Sequence, residues 1–435
     1  MPAPSRSPFD SATHVLVGYS RSVLSDLDRF LPPGSVLVLE EPEVIEKRGV
    51  RDRIGAHPSA ALLMSAPCQD EAAADRFADA VPRPPRVRAV VPSVEYGAVA
   101  AAALAQAWGL PGATLAAARR LRDKVELRRT AGRSGLPQPR WAEVGDADGV
   151  RDFAASAPRG CVLKPANRQA SVGVRILDGP ADAAAAWAHT TTADEAGMRA
   201  PGALRPRYLV EERVHGPEVS VEVLVRRGRA LFTNITAKSV QDDPLYPVES
   251  GHVLPAPLPV PVAAELTEAM DGLIRATGFG SGILHAEWIL DAGAHPHLIE
   301  CAGRPPGDRL TDLVDLVYGG HLVRDLVHVL EEGGPVVDRT GRTADGAAAI
   351  RFLDVEPGLV EAVEGVSGVA DRPAVRDVRV GAREGDTVRG TTSSWDRPGY
   401  VIAIGPDAAS ATAEAASAAA SITVRTRPAP EPATL

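Results

Sequence analysis

A change in the pattern of strands and helices along the chain most constrains its fold. Before residue 118, short apolar strands alternate with helices, an order typical of a parallel α/β domain. These strands are predicted at 13–18, 35–40, 61–64 and 87–91. From about 160 to 300 the strands instead come in pairs joined by short turns, which predicts antiparallel hairpins. We therefore expect an α/β domain followed by an α+β region.

The segments around these two regions add three expectations. The first strand is not followed by Gly-x-Gly-x-x-Gly, so dinucleotide binding by the first domain is only weakly indicated. A single basic helix is predicted over 119–135, ending at a glycine. Short strands with glycine turns and an Ala-rich helix at 408–420 form a third region, and the Pro-rich tail at 427–435 is predicted to be disordered.

Composition excludes several classes of protein. The net charge of −9 argues against a nucleic-acid binder, because affinity for phosphate backbones comes from clustered Lys and Arg. No apolar run reaches the roughly 18 residues of a membrane helix, and the first residues lack the apolar core of a secretory signal. Cys68, Cys161 and Cys301 are far apart and odd in number, which indicates reduced thiols. We therefore expect a cytoplasmic protein without nucleic-acid or membrane partners.

Lysine is unusually scarce. Of 47 basic residues only four are Lys, namely Lys47, Lys124, Lys164 and Lys238. A Lys that persists where Arg is otherwise used can mark a position that needs a compact ammonium, for example against a nucleotide phosphate. Retention by chance is the alternative for any single lysine, so the surrounding motifs must decide.

The predicted hairpin at 283–302 brings two carboxylates together. A turn centred between Gly293 and Ala294 places Glu287 opposite Glu300, with Cβ atoms about 5 Å apart. Like charges so placed repel unless a cation lies between them, and Mg²⁺ prefers oxygen ligands and substrate phosphates. If the turn is centred one residue away, the two side chains lie on opposite faces instead.

Two further segments carry weaker signals. Lys164 ends an apolar strand and is followed by a turn of small residues at 167–174, where backbone N–H groups and the ammonium could approach phosphate oxygens. The segment 207–218 is predicted to be a strand that bends at Gly216 and could offer backbone groups to an adenine edge. Taken singly, each is more simply an ordinary turn or strand.

The order of these features resembles the ATP-grasp superfamily over residues 119–325. The matching features are Asp123-Lys124, Lys164 with its turn, Glu211-Glu212 with Glu218, Glu287, and Glu300 with Arg304. The resemblance is closer to the carboxylate–amine ligases of that superfamily, including the L-amino-acid ligases that make dipeptides. The stretches 92–112, 356–358 and 397–401 look like the preceding and closing domains of those enzymes.

The resemblance implies an architecture of α/β and α+β parts. A Rossmann-like pre-ATP-grasp domain would cover 1–118. An ATP-grasp domain would cover 119–343, with an antiparallel sheet and a small lid over roughly 155–213. An α+β region that closes the ATP-grasp fold would cover 344–426.

The resemblance also implies roles for the matched residues. Lys124 and Lys164 would bind the phosphates of ATP, and Glu287 and Glu300 would hold Mg²⁺, or Mn²⁺ in its place. Arg304 would act with Lys164 in catalysis by stabilising the transferring phosphoryl group and the acyl phosphate. The remaining nucleotide contacts would come from the turn over the phosphates, the hinge beside adenine and a ribose ligand: Gln169, Ser171, Gly173, Glu211, Glu212, Val214 and Glu218.

One position departs from the usual pattern, and the substrate pocket is less readable. Many ATP-grasp enzymes have Asn two residues after the second metal glutamate, where this chain has Ala302, so the number of metal ions is left open. Arg309 could bind a substrate carboxylate or be a surface arginine. Glu249 and His252 lie in a long loop predicted beside the site. His285 shares a strand face with Glu287 and is either a ligand-orienting residue or a hydrogen-bonded core histidine.

The resemblance implies an ADP-forming ligase that joins a small carboxylate to an amine, both amino-acid-like, through an acyl phosphate. An ATP-grasp nucleotide-binding module without ligase activity and a carboxylase-like enzyme are the alternatives. A homodimer is left open.

Overall fold

The computed structural model describes residues 7–195, 197–202, 204–241, 245–335, 339 and 341–428, and these residues form four β-sheets. Most of the tail predicted to be disordered, 429–435, lies outside the described residues, as do 242–244 of the predicted substrate loop. The prediction that Glu249 and His252 lie in that loop is wrong, because both belong to the strand Glu249–Leu254, which pairs with its neighbours on either side. No helix within the described ranges is long and apolar enough to cross a membrane.

The N-terminal sheet is parallel, as the alternating pattern predicts. Its strands, in spatial order, are Ala60–Ser65, Val36–Glu40, His14–Val17 and Ala89–Pro92. Its helices are Pro8–Ser11, Arg21–Leu27, Pro42–Arg48, Val50–Ile54, Ala74–Ala80 and Ala98–Ala107. The central strands are fully buried because helices cover both faces of such a sheet.

The single basic helix predicted over 119–135 is wrong, because the structure has two helices, Leu115–Arg122 and Lys124–Arg133. Asp123 lies between them with extended backbone angles, and its carboxylate accepts hydrogen bonds from the N–H groups of Val125 and Glu126. An Asp in this position caps a new helix. The break places Lys124 at the first turn of the second helix.

A small antiparallel sheet follows, and it overlaps the range 155–213 in which a lid was predicted. Its strands, in spatial order, are Trp141–Val144, Tyr208–Glu212, Cys161–Pro165 and Arg175–Leu177. The helices Ala147–Ala155 and Ala183–Thr192 bury one face of it. Its first strand precedes residue 155, where the lid was predicted to begin.

The largest sheet has eight strands and spans the predicted second and third regions. In spatial order they are Pro296–Ala302, Gly282–Leu290, Glu218–Arg226, Arg229–Val240, Glu249–Leu254, Ala347–Phe352, Gly399–Gly405 and Val375–Val380. Helices Val260–Thr277, Leu310–Tyr318, Leu322–Leu330, Val366–Ala370 and Ala408–Ala420 accompany it. A three-stranded sheet of Thr387–Val388, Gly358–Glu364 and Thr423–Arg427 completes the C-terminal part. The eight-stranded sheet therefore joins C-terminal strands to the hairpin strands through one continuous set of strand pairings.

The hairpin prediction is confirmed at its critical pair, although the turn lies elsewhere than predicted. Glu287 is paired with Glu300, but beyond them Leu290 is paired with Pro296, so the turn is centred on Gly293. A bulge leaves Ile299 unpaired and restores the register. Without this bulge Glu287 would face Ile299.

Candidate active site

A cavity of about 860 Å³ lies where the N-terminal domain, the small sheet, the large sheet and the C-terminal part meet. Nearly all the predicted site residues line it: Lys124, Lys164, Gln169, Ser171, Glu211, Glu212, Val214, Glu218, Glu249, His252, His285, Glu287, Glu300 and Arg304. Residues far apart in the chain therefore converge on one space large enough for a nucleotide and a small substrate.

Two predicted residues do not line this cavity. Gly173 packs against the small-sheet helix, where an added Cβ would lie 3.0 Å from Ala193 Cβ. Arg309 lines an adjoining cavity of about 240 Å³, and its guanidinium pairs with Asp312 at 3.2 Å and Asp377 at 3.5 Å. The carboxylates that pair with Arg309 are therefore side chains of the protein itself.

Lys164 belongs to a buried ion cluster. Its ammonium contacts the Glu211 carboxylate, whose other oxygen lies 2.5 Å from Arg128 Nε. Arg128 also donates to the Ile299 carbonyl at 2.7 Å, which ties the small sheet to the bulge of the hairpin. Burial by itself would raise the pKa of Glu211, but Arg128 and Lys164 together lower it. The carboxylate of Glu211 therefore faces Lys164, and only its backbone is left to line a hinge.

The turn after Lys164 has an unusual backbone. Ala170 and Ser171 are consecutive residues with φ near +56° and +58°, a left-handed conformation that is costly for residues other than glycine. Successive N–H groups in such a turn can form a concave anion site. The Glu195 carboxylate fixes the turn, because it accepts hydrogen bonds from the N–H and side-chain amide of Gln169 and from the Tyr96 hydroxyl.

Glu287 and Glu300 each have a cation on one oxygen. Lys124 Nζ lies 3.0 Å from Glu300 Oε2, and Lys238 Nζ lies 3.0 Å from Glu287 Oε1. Within the described parts of the chain no group of three or more His, Cys, Asp and Glu side chains forms a complete metal site. Two facing carboxylates at a cavity fit a hard cation that takes its other ligands from phosphate and water.

Lys238 is a residue that the predicted site left out. Its side chain is only 2% exposed, and its ammonium contacts Glu218, Glu249 at 3.2 Å and Glu287 at 3.0 Å. Burial alone would lower the pKa of Lys238, but the three carboxylates raise it well above its usual value. The structure thus places Glu218, predicted beside the ribose, against this ammonium. The scarcity of lysine was the signal that pointed to Lys238.

His285 bridges the cavity and a buried polar network. Its Nδ1 lies 3.0 Å from Glu222 and its Nε2 lies 3.4 Å from Glu287. Burial by itself would lower the pKa of His285, but these two carboxylates raise it to about 9. Glu222 also accepts hydrogen bonds from Ser220, Asn234 and Thr236. His285 is therefore a hydrogen-bonded core histidine whose second ring nitrogen also lies near Glu287.

Arg304 is held by an N-terminal residue. Its Nε donates to Glu95 at 2.7 Å, and Glu95 also accepts from Arg122 at 2.9 Å. Burial would raise the pKa of Glu95, but the two arginines lower it to about 2. Glu95 lies in the stretch 92–96 that carried part of the resemblance, but no local feature linked it to Arg304.

The other end of the cavity is built around Asp308. Its carboxylate lies 2.8 Å from His252 Nε2 and forms an ion pair with Arg397. Asp308 and Arg309 form a second pair of consecutive left-handed residues, with φ of +54° and +59°. Glu249 accepts a hydrogen bond from the Ser394 hydroxyl at 3.0 Å. Neither Ser394 nor Arg397 was predicted to reach the site.

Comparisons with known proteins agree with this arrangement. Residues 157–312 match the family model of the ATP-grasp domain, and residues 351–427 match that of the L-amino acid ligase C-terminal domain 2. A D-alanine–D-alanine ligase of Desulforudis audaxviator is 28% identical over 255 residues, which cover 54% of this chain and 78% of that protein.

Two other similarities cover more of the chain. The protein y4rH of Sinorhizobium fredii is 27% identical over 307 residues, which cover 70% of this chain but only 61% of y4rH. The crystal structure of an L-amino acid ligase from Bacillus licheniformis has the same fold, with a TM-score of 0.77 and 18% identity, covering 96% of this chain and 99% of that one. The predicted fold class is thereby confirmed.

Proposed function

We propose that this chain is an ADP-forming carboxylate–amine ligase. It belongs to the ATP-grasp superfamily and has a C-terminal domain of the L-amino acid ligase type. The observation that carries the proposal is the convergence of Lys124, Lys164, Glu287, Glu300 and Arg304 on one cavity. A module that only bound a nucleotide would have no need of an arginine fixed in the cavity by a buried glutamate, as Arg304 is by Glu95.

The proposed reaction has two steps. A carboxylate oxygen of the first substrate attacks the γ-phosphorus of ATP, and ADP leaves. The amine of the second substrate then attacks the acyl phosphate, phosphate leaves, and the amine nitrogen loses a proton as the amide forms. Because phosphoryl transfer depends mainly on positioning and charge stabilisation, fixed cations around the phosphates are the main requirement.

Each residue of the site has a separate role in the proposed reaction. Lys124 and Lys164 bind the phosphates beneath the turn at 169–173, and the hinge at 211–214 holds adenine. Glu287 and Glu300 would hold magnesium, or manganese, whose charge would offset that of the phosphates. Arg304, which Glu95 fixes in place, stabilises charge on the transferring phosphoryl group and on the acyl phosphate.

The substrates we propose are two small amino acids. Support comes from the similarity to L-amino acid and D-alanine–D-alanine ligases and from the polar end of the cavity. There Glu249, which also contacts Lys238 and Ser394, would accept a substrate ammonium group, and His252 is held by Asp308.

A product assay tests the proposal. Pairs of amino acids are incubated with ATP and Mg²⁺, and nucleotides, phosphate and new amides are measured by chromatography and mass spectrometry. We expect ADP and phosphate in equal amounts with the dipeptide, and little ADP when the second amino acid is omitted. Formation of AMP and pyrophosphate would refute the acyl phosphate. ADP release that requires bicarbonate would indicate the carboxylase-like alternative.

A further inference from the structure

The loop at 392–397, which we term the closing loop, connects two sheets and contains several internal hydrogen bonds. The Asp396 carboxylate accepts hydrogen bonds from the backbone N–H groups of Thr392 at 3.1 Å and Ser393 at 2.9 Å. It also accepts from the hydroxyls of both residues. The bond from the Ser393 N–H is one half of a capping box around a single helical turn, and the other half is the bond from the Asp396 N–H to the Ser393 hydroxyl. The loop is therefore ordered by hydrogen bonds of its own.

The closing loop is also anchored to both ends of the cavity. The Ser394 N–H donates to the Ala170 carbonyl in the turn after Lys164 at 3.3 Å, and the Ser394 hydroxyl donates to Glu249 at 3.0 Å. Arg397 pairs with Asp308, and its guanidinium carbon lies 3.7 Å from the centre of the Phe352 ring. The loop therefore spans the gap between the phosphate side and the substrate side.

Trp395, at the centre of this loop, is 54% exposed and lines the cavity. Among the described residues it is the one large, exposed apolar side chain that does so. The charged and hydroxyl groups of the closing loop bond within the loop or to Glu249 and Asp308. The loop thus presents an indole, rather than a charge, to whatever enters beside it.

We propose that Trp395 is a specificity-determining residue, forming an apolar wall against which the side chain of one amino-acid substrate packs. The inference rests on the proposed function. It specifies one of the two substrates as an amino acid with an aliphatic or aromatic side chain. A tryptophan held on a fixed loop loses little conformational freedom on binding and offers a large surface for burial. A substrate side chain of this class covers the exposed indole, whereas glycine leaves it in water.

The test uses the full-length enzyme with Trp395→Ala and Trp395→Phe. For leucine and phenylalanine we expect Trp395→Ala to lower kcat/KM by about tenfold or more, the scale on which loss of an apolar pocket contact acts. We expect Trp395→Phe to retain most of the activity, and the KM for ATP and the kcat/KM for glycine to change by less than about threefold in either variant. An equal loss for glycine and leucine, or no loss for either, would overturn the proposal.

A binding measurement separates this inference from the ligase proposal. Addition of leucine or phenylalanine should change the intrinsic tryptophan fluorescence of the wild-type protein and of a matched control, Trp187→Phe. Trp187 packs edge-on against Tyr208 in the small sheet, with ring centres 4.9 Å apart, and does not line the cavity. The change should vanish in Trp395→Phe, and its persistence there contradicts the proposal. If the change depends on Trp395 but no amino-acid pair releases ADP, the substrate contact stands and the ligase function fails.

Discussion

Replacing Glu211 with Gln tests the buried ion cluster beneath the phosphates. The change preserves the shape of the side chain but leaves two buried cations, Arg128 and Lys164, without their carboxylate. Breaking a buried ion pair by removing one partner costs about 3–5 kcal/mol, because the remaining charge stays out of water. The neighbouring Glu212 provides a matched control, since it lies in the same strand and pairs with two exposed arginines, Arg140 at 3.3 Å and Arg159 at 3.9 Å. An exposed pair is worth about 0–1 kcal/mol.

Urea denaturation of the wild type, Glu211→Gln and Glu212→Gln gives the three free energies of unfolding. We expect Glu211→Gln to be less stable than Glu212→Gln by about 2–5 kcal/mol. Calorimetric titration with ATP should also show weaker affinity for Glu211→Gln, because Lys164 loses the carboxylate that positions its ammonium. Equal stabilities of the two variants, or unchanged ATP affinity in Glu211→Gln, would refute the role of the cluster in positioning Lys164.

Three further predictions concern the metal, the lysines and pH. Glu300→Gln and Glu287→Gln should each greatly reduce turnover and increase the Mg²⁺ concentration needed for half-maximal activity, and normal magnesium titrations in both would remove the metal assignment. In calorimetry, Lys164→Arg should weaken ATP binding nearly as much as Lys164→Ala does, because the broader guanidinium displaces the turn above it. Lys47 is exposed, so Lys47→Arg should leave ATP affinity unchanged. Burial raises the pKa of Asp26 to about 6, so its ionisation destabilises the folded state as the pH rises from about 4 to 7. Asp26→Asn should therefore raise the free energy of unfolding by about 1–3 kcal/mol at pH 8 and by little at pH 4, and a gain independent of pH would contradict this reasoning.

Features that depend on neighbouring residues could be predicted from the sequence. The alternation of strands and helices was sufficient for the parallel N-terminal sheet, because period and polarity are local properties. Glu287 and Glu300 could be placed opposite each other for the same reason, since a hairpin brings near neighbours together. The bulge at Ile299 could not be predicted even there. The predicted pairing of Glu287 with Glu300 is correct because this bulge shifts the register by one residue and so compensates for a turn that is centred on Gly293.

The contacts that organise the cavity depend on tertiary structure. Arg304 is held by Glu95, which is 209 positions away, and Glu249 is held by Ser394, which is 145 positions away. Lys238 meets its three carboxylates only because separate strands of the large sheet lie side by side. No local periodicity encodes such pairs, because their distances follow from how whole sheets and domains pack. The types of chemical group at the site could therefore be read from the sequence, whereas the partners that orient them were decided by the fold.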